Sequence, residues 1–517
     1  MSSSPMSAGS DQADRRRPQI AVACGLEQAA ARFLTRHAEG AVVAWALAGF
    51  LVLWTLYHSV ANATVDTDAD SSEVSLWAQN FAFGYKHPPL TAWLFRAWFA
   101  VFPRTDWAVH LLAVTVMTAA LAVTWRLLRD HLDRNRALLG LAALTLVPLY
   151  TFLAPTLDAN SVLMPFWPAA LLFYLRARRG LGVVDAFLAG AFAGLAFLGK
   201  YWTVYLLAGM AAASLAGAGT KRFWRSPAPY LMALGAVLVV APHLYWFVTQ
   251  RGGETDGFLA GVMNADSFVA SLAKSGSYLL GAAAYVCVPL LILASLRPSR
   301  AALTELCWPA NPMRRQAIVL LAVPLLLPAL TNLIVPQRLT ALWTFPNWPL
   351  LPIVLFSSPL LAVETQAVVR AGLTALAVAL GAVVASPIRA YVKLVTQAQA
   401  NEPYRAHYAG VAKAAEHLAG HPVETFWGSP AITMGLPYYL PDAHLLHATP
   451  LSEMGRAELG TGELVIICLP EDAACQAQGA ALARTENPPI EVTLTRSYFR
   501  FFGPPATFRL VLVPARS

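Results

Sequence analysis

Long apolar runs, separated by short polar connections, dominate most of this sequence. The runs lie at approximately residues 41–60, 106–126, 138–154, 161–175, 183–199, 201–218, 228–248, 276–296, 316–336, 343–361 and 367–388. About 20 apolar residues in a helix cross the ~30 Å hydrocarbon core of a bilayer. The pattern therefore predicts a polytopic α-helical membrane protein, with a transmembrane domain of about eleven helices over residues 41–390.

The pattern changes at about residue 391, where shorter elements replace the long runs. Residues 401–420 have the spacing of an amphipathic helix. Short β-branched and apolar stretches predict strands at Val423 to Trp427, Leu464 to Cys468, Ile490 to Thr495 and Thr507 to Val513. We therefore expect residues 391–517 to form a small soluble α/β domain, of a size that is ordinary for a domain.

Composition agrees with a membrane protein. The chain is 57% hydrophobic and 13% charged, whereas about a quarter of the residues in a soluble protein are charged. Lysine and arginine (37) outnumber aspartate and glutamate (29). Because the basic residues fall between the apolar runs and not on one polar face, the excess does not indicate a nucleic-acid partner.

Basic residues mark every second connection between the runs. They are Arg15, Arg16 and Arg17, followed by Arg126, Arg129, Arg134, Arg136, Arg176, Arg178, Arg179, Lys221, Arg222, Arg225, Arg297, Arg300, Arg314 and Arg315. Connections rich in lysine and arginine stay in the cytoplasm. The charges predict a multi-pass protein of the inner (plasma) membrane, with a cytoplasmic segment at residues 1–40 and a periplasmic C-terminal domain.

Two of the five cysteines, Cys468 and Cys475, lie seven residues apart in the predicted C-terminal domain. In an oxidising compartment they could form a disulfide. Two free thiols are an equally good interpretation of the sequence.

The outer connection at residues 62–105 contains the most informative polar segment. Asp70, Glu73 and Trp77 have the spacing that places side chains on one face of a helix, for which Ser71 or Asp70 is an acceptable N-cap.

Lys86 and His87 follow, ahead of Pro88-Pro89 and an amphipathic run from Thr91 to Phe102. Two short helices along the membrane surface fit this pattern. A solvated acidic loop with a Pro-Pro turn is the alternative.

Three further polar residues interrupt apolar surroundings on the predicted outer side. Asp158 is the one acid in a long apolar neighbourhood, and Lys200-Tyr201 divides the hydrophobic stretch from Ala186 to Ala218. Charges at a membrane edge cost free energy unless they are paired or functional. Asp158 could instead cap the next helix, and Lys200 could extend to the interface.

Two more candidates lie in later connections. His243 follows Pro242 near the outer end of the seventh run, where a structural histidine is the simpler interpretation. Arg338 could clamp a phosphate or anchor to lipid headgroups. Together, the carboxylates could deprotonate a hydroxyl or hold a divalent metal, and the cations could neutralise a phosphate.

These residues carry a resemblance to a known family. The pattern Asp70-x-x-Glu73-x-x-x-Trp77-x-Gln79, then Gly84-Tyr85 and His87-Pro88-Pro89-Leu90, resembles the first outer loop of bacterial lipid-linked-sugar glycosyltransferases. These are the aminoarabinose transferase-like and protein mannosyltransferase-like enzymes of glycosyltransferase family 39/83, which have the GT-C fold. Matching elements follow at Thr156-Leu157-Asp158-Ala159, Gly199-Lys200-Tyr201 and Pro242-His243-Leu244-Tyr245-Trp246.

The resemblance implies a role for each candidate. Asp70 would be the general base, and Asp158 would help to bind a divalent metal, the only cofactor implied, or the acceptor. Glu73, Lys86, His87, Lys200, Tyr201 and Arg338 would bind substrate, the cations among them holding a lipid phosphate.

The chain departs from the family pattern at Ser71, where a second acid is common, and Asp66 and Asp68 compete with Asp70 for the catalytic role.

The resemblance therefore implies a transferase that moves a sugar, with inversion, from a polyprenyl-phosphate donor to an envelope acceptor such as lipid A, core oligosaccharide or another glycan. The donor's lipid tail would stay in the bilayer. The alternative is a transporter or flippase for a lipid or polar solute. A transporter should show polar residues or broken helices at mid-membrane in two related halves, and no such pairing is visible in the sequence.

Overall fold

The computed structural model describes residues 25–154, 156–216, 219–250, 263, 266–396, 407–446, 462–482 and 488–515. Five helices in these ranges are long and apolar enough to cross a membrane. They are α2 (Glu39–Ala61), α5 (Asp106–Arg129), α11 (Ala228–Thr249), α15 (Pro312–Ile334) and α17 (Thr365–Thr396). A sixth span would be formed by α12 (Phe268–Tyr285) with α13 (Cys287–Ser295), which meet at a bend of 49°.

The other predicted runs form shorter helices. These are α6 (Arg134–Leu144), α7 (Leu163–Gly180), α8 (Val183–Gly199), α9 (Val204–Leu215) and α16 (Leu351–Phe356), with 3-10 turns at Pro148–Tyr150, Tyr201–Thr203 and Ala341–Leu350. Prolines account for part of the shortening, since Pro346 and Pro349 lie inside the longest 3-10 segment and proline removes a helical donor. The count of eleven spans stays a prediction.

Several small helices complete this part. They are α1 (25–36), α3 (Ala69–Gln79), α4 (Leu90–Phe99), α10 (Thr220–Trp224) and α14 (Arg300–Cys307). The predicted cap of α3 was wrong, because Asp68 and not Ser71 or Asp70 occupies that position. The Asp68 carboxylate accepts from the Ser71 amide at 3.1 Å and from the Ser71 hydroxyl at 2.9 Å.

The C-terminal part is a mixed sheet with helices, as predicted. Its strands are β1 (Thr425–Gly428), β2 (His444–Leu445), β3 (Leu464–Cys468), β4 (Ile490–Leu494), β5 (Ser497–Tyr498), β6 (Phe501–Phe502) and β7 (Ala506–Val513). The five-stranded sheet has the order β2-β1-β3-β7-β4, with β1 parallel to β2 and β3, and β7 antiparallel to β3 and β4. Strands β5 and β6 form a separate hairpin.

The central strand β3 is buried on both faces. Val465 and Ile467 pack in one hydrophobic cluster with α18 (Tyr408–Ala419), whereas Ile466 and Cys468 pack in another. This alternation follows from the two-residue period of a strand. Two more helices, α19 (Pro430–Thr433) and α20 (Ala473–Leu482), complete the domain. Cys468 and Cys475 are joined in a disulfide, so the first of the two interpretations holds.

The C-terminal domain is attached to the 62–105 connection by buried polar contacts. Both Nη atoms of Arg496 donate to the Asp66 carboxylate, at 3.0 and 2.5 Å. The Tyr439 hydroxyl donates to Asp106 at 2.7 Å and accepts from the Thr67 amide at 2.8 Å.

Helix α3 makes further contacts with the domain. Ser75 donates to the Pro437 carbonyl at 3.2 Å, and Gln79 donates to the Pro441 carbonyl at 2.8 Å. The helix that carries Asp70 is therefore supported directly by the C-terminal domain.

We predict that Arg496→Met destabilises the protein by about 3 kcal/mol, because Asp66 would remain buried without its partner. Thermal unfolding in detergent measures the effect, and Asp66→Asn in the same chain should recover part of it. Arg509→Met is the matched control, since its pair with Glu491 is exposed and should contribute less than about 1 kcal/mol. Equal losses in the two single variants would contradict the prediction.

Candidate active site

One cavity of about 660 Å³ lies where α3, the break between α8 and α9, and the segment before α16 converge. Its lining includes all eight residues to which the resemblance assigns a role. These are Asp70, Glu73, Lys86, His87, Asp158, Lys200, Tyr201 and Arg338. Four segments that are far apart in sequence therefore contribute to one site.

The three neighbouring aspartates have different surroundings. Asp66 pairs with Arg496, and Asp68 caps α3. Asp70 lines the cavity, and within the described residues its carboxylate has no hydrogen bond or ion pair. The geometry thus favours Asp70 over its two competitors as the residue that meets a substrate.

The electrostatic surroundings of Asp70 favour a base. Burial raises the pKa of the carboxyl above its usual range, and the negative charges of Asp158 and Glu73 raise it further, against the opposing effect of Lys86 and Lys200. A carboxylate with a raised pKa holds a proton more strongly, so it is a better general base near neutral pH.

Glu73 and Lys86 form an ion pair. Lys86 Nζ lies 2.8 Å from Oε1 and 3.2 Å from Oε2 of Glu73, and both residues line the cavity. The pair joins α3 to the loop before α4. Because Glu73 already neutralises Lys86, this lysine offers a phosphate less net positive charge than the sequence suggested.

His87 is not the cation that the sequence reasoning supposed. Burial lowers its pKa to about 3, and the charges of Lys200 and Lys86 act in the same direction. Its ring lies edge-on to Trp77 with centroids 5.5 Å apart. At neutral pH, His87 is therefore an uncharged hydrogen-bonding group in the cavity wall.

Asp158 organises a tight turn before α7. Its carboxylate accepts from the amide of Asn160 at 2.9 Å, from the Asn160 side chain at 2.7 Å and from the Ser161 amide at 2.7 Å. The capping interpretation is thus partly right, although the N-cap position of α7 itself is Val162. Asn160, which the sequence reasoning missed, could have been found as a polar neighbour of Asp158 in an apolar stretch.

Lys200 is held between this turn and an aromatic ring. Its ammonium donates to Asn160 Oδ1 at 2.5 Å and lies 4.2 Å from the centroid of the Trp343 ring. Burial lowers the pKa of Lys200 to about 8, although Asp158 and Asp70 act to raise it. The lysine is therefore mostly charged at pH 7 and lies inside the protein, so it does not extend to the interface.

Tyr201 and His243 connect the cavity to the loop before α4. The imidazole bonds the Phe83 carbonyl through Nδ1 at 2.7 Å and the Tyr201 hydroxyl through Nε2 at 3.1 Å. Because a carbonyl only accepts, Nδ1 carries the hydrogen and Nε2 of a neutral ring accepts. His243 thus has the structural role that its sequence context favoured.

Arg338 lies on the exposed side of the cavity. Within the described ranges its guanidinium has no ion pair or hydrogen bond. An arginine with this freedom can bind a phosphate through two parallel donors.

The described residues provide little for a resident metal. No group of three or more His, Cys, Asp or Glu side chains in the described ranges could hold an ion. Both oxygens of Asp158 already accept hydrogen bonds. The described side chains therefore do not fit a metal held by the protein alone.

The fold is similar to two solved structures of ArnT from Cupriavidus metallidurans, one in the apo state and one bound to undecaprenyl phosphate. The identities are 14% and 15%, and each TM-score is 0.59, with 92% of this chain and 98% of the other chain covered. The sequence matches none of the curated proteins with which it was compared.

This architecture, with a charged cavity between membrane helices and a small C-terminal domain, is thus a fold that the chain shares with the two ArnT structures. Residues 86–246 match the family model described as dolichyl-phosphate-mannose-protein mannosyltransferase. The matched residues make up less than a third of the chain.

Gly84 provides a test of the site's packing. A Cβ atom at this position would lie 2.0 Å from the Trp246 ring, so we expect Gly84→Ala to move the loop that carries Lys86 and His87. Thermal unfolding should show a loss of about 1–3 kcal/mol. Gly276→Ala is the control, because nothing lies within 4 Å of a Cβ there. A Gly84→Ala protein as stable as this control would contradict the packing.

Proposed function

We propose that this enzyme transfers a sugar from a polyprenyl-phosphate donor to an envelope glycolipid or glycan, such as lipid A or core oligosaccharide, on the outer face of the inner membrane. The observation that carries the proposal is the cavity that Asp70 lines together with Lys200 and Arg338. A base for the acceptor and cations for a phosphate are the two requirements of this transfer.

The chemical step is a single displacement. Asp70 takes the proton from the acceptor hydroxyl, or faces an acceptor phosphate that is already ionised, and the acceptor oxygen attacks the anomeric carbon. As that bond forms, the bond from the anomeric carbon to the phosphate oxygen breaks, and polyprenyl phosphate leaves with the electron pair. Attack opposite the leaving group inverts the anomeric carbon.

The cations act on the leaving group. Negative charge grows on the phosphate as the glycosidic bond breaks, and positioned donors stabilise charge that develops in the transition state. Lys200 is fixed by Asn160 and Trp343, so it needs little reorganisation. Arg338 contributes from the exposed side of the cavity, and neutral His87 donates or accepts a hydrogen bond.

A lipid-linked donor accounts for the position of the site among membrane helices. The polyprenyl chain stays in the bilayer while its phosphate reaches the cavity. The similar ArnT structure with bound undecaprenyl phosphate supports this choice of lipid. Binding of the acceptor is the role that we propose for Asp158.

A transporter is the second candidate, and the observations favour it less. Its substrate site should lie at mid-membrane between related halves, whereas the cavity here is built from connections and helix ends.

We predict that Asp70→Asn abolishes the glycolipid product, with a loss of at least ~100-fold, because the amide cannot accept the acceptor proton. Mass spectrometry of envelope glycolipids compares a strain that lacks the gene with strains that carry each variant. Asp68→Asn is the matched control, since asparagine is an equally good helix cap and should retain the product. Retention of the product by Asp70→Asn would exclude the mechanism.

The pKa shifts predict a bell-shaped pH profile of kcat/KM. Asp70 must be deprotonated, so activity falls as the pH drops through its raised pKa. Lys200 must be protonated, so activity falls as the pH rises through about 8. Lys200→Arg should remove the alkaline limb, because a guanidinium stays charged above pH 12. Assays in proteoliposomes that contain a polyprenyl-phosphate sugar measure the profile. An unchanged alkaline limb in Lys200→Arg would assign that limb to another group.

A further inference from the structure

The hairpin of β5 and β6 presents aromatic side chains to the outside of the C-terminal domain. Ser497 pairs with Phe502 and Tyr498 with Phe501, so Phe499 and Arg500 form a two-residue turn. Phe499 is 84% exposed and Phe502 is 71% exposed. Two adjacent phenylalanines with so little cover are unusual on a domain surrounded by water.

The backbone conformation of Phe499 is a second sign that its exposed ring has a function. Phe499 has φ 51°, a left-handed conformation that glycine adopts without cost and that is rare for a bulky residue. Inside the domain the ring gains almost no burial in return. The strain therefore suggests that the phenylalanine is retained for a contact outside the protein.

The hairpin lies against the end of the last membrane helix. Phe501 meets Tyr391 of α17 edge to face with centroids 4.8 Å apart, and a Cβ on Gly503 would lie 2.9 Å from Leu394. Near these contacts, α17 has an exposed apolar stripe, at Val384, Ile388, Val392 and Val395. The exposed rings thus extend an apolar surface that begins on a membrane-spanning helix.

The charge at the turn fits a membrane surface. Arg500 lies beside the exposed rings, with its Cζ 5.7 Å from the centroid of Phe501. Aromatic rings gather at the boundary between acyl chains and headgroups, and a neighbouring arginine can extend to a lipid phosphate.

We propose that the 497–502 hairpin is a membrane anchor that inserts Phe499 and Phe502 into the adjacent leaflet, with Arg500 at the phosphates of anionic lipids. The occupant of this apolar surface is the bilayer, because the surface continues α17. The anchor would hold the C-terminal domain against the membrane, and it does not depend on the proposed transfer reaction.

The test places the photoreactive residue p-benzoylphenylalanine at position 499 of the full-length protein. The protein is reconstituted in nanodiscs of phosphatidylethanolamine and phosphatidylglycerol, and adducts are identified by mass spectrometry. The matched control carries the same residue at Glu491, an exposed polar position of the same domain. We expect lipid adducts at 499 to exceed those at 491 by about fivefold or more. Equal yields, or adducts with protein alone, would overturn the proposal.

A second variant separates anchoring from folding. Phe499→Gly relieves the turn, so the protein should remain as stable in detergent as the parent or become more stable. In the same variant, lipid adducts from p-benzoylphenylalanine at position 502 should fall severalfold, because half of the inserted apolar surface is missing. A yield at 502 that is unaffected by Phe499→Gly would count against insertion.

Discussion

Charge withdrawn from water must find a partner, and this requirement shapes the cavity. The Asp158 carboxylate accepts hydrogen bonds from three N–H groups. The ammonium of Lys200 is held by Asn160 and by the Trp343 ring, and Lys86 forms an ion pair with Glu73. Each of these arrangements offsets the cost of removing an ion from water. Asp70 and Arg338 differ, since within the described ranges neither has such a partner. Both side chains are exposed, and they are the two charged groups that the proposed transfer assigns to the substrates.

The helical architecture could largely be predicted, because apolar runs in sequence report burial in lipid or protein. The apolar runs did not show whether each run forms one continuous α-helix. The run at 201–218 begins with a 3-10 turn beside Lys200, and the run at 343–361 begins with 3-10 helix that contains Pro346 and Pro349. In the C-terminal domain the four longer strands were predicted, whereas β2 and the β5–β6 hairpin were missed. Strands of two residues contain no period to detect.

The members of the site were predictable for a different reason. Polar residues in apolar surroundings stand out, so Asp158 and Lys200 could be chosen from sequence. Asp70 was chosen by its spacing from Glu73 and by the family resemblance, and all three line one cavity. The protonation states of the site residues could not be predicted from sequence, because each state depends on neighbouring side chains from other connections. His87 loses its charge through burial. Asp68 differs from Asp70 in its role only because Asp68 occupies the N-cap position of α3.

The attachment of α3 to the C-terminal domain has a consequence for biosynthesis. The 62–105 connection is translated early, whereas Arg496 and Tyr439, which hold Asp66 and Asp106, are translated near the end. A nascent chain can therefore insert its helices long before the support of α3 exists. The proposed site should therefore become competent only after Tyr439 and Arg496 have been translated, so a chain that stops before residue 439 would insert its helices but leave α3 unsupported, even with all the cavity residues present.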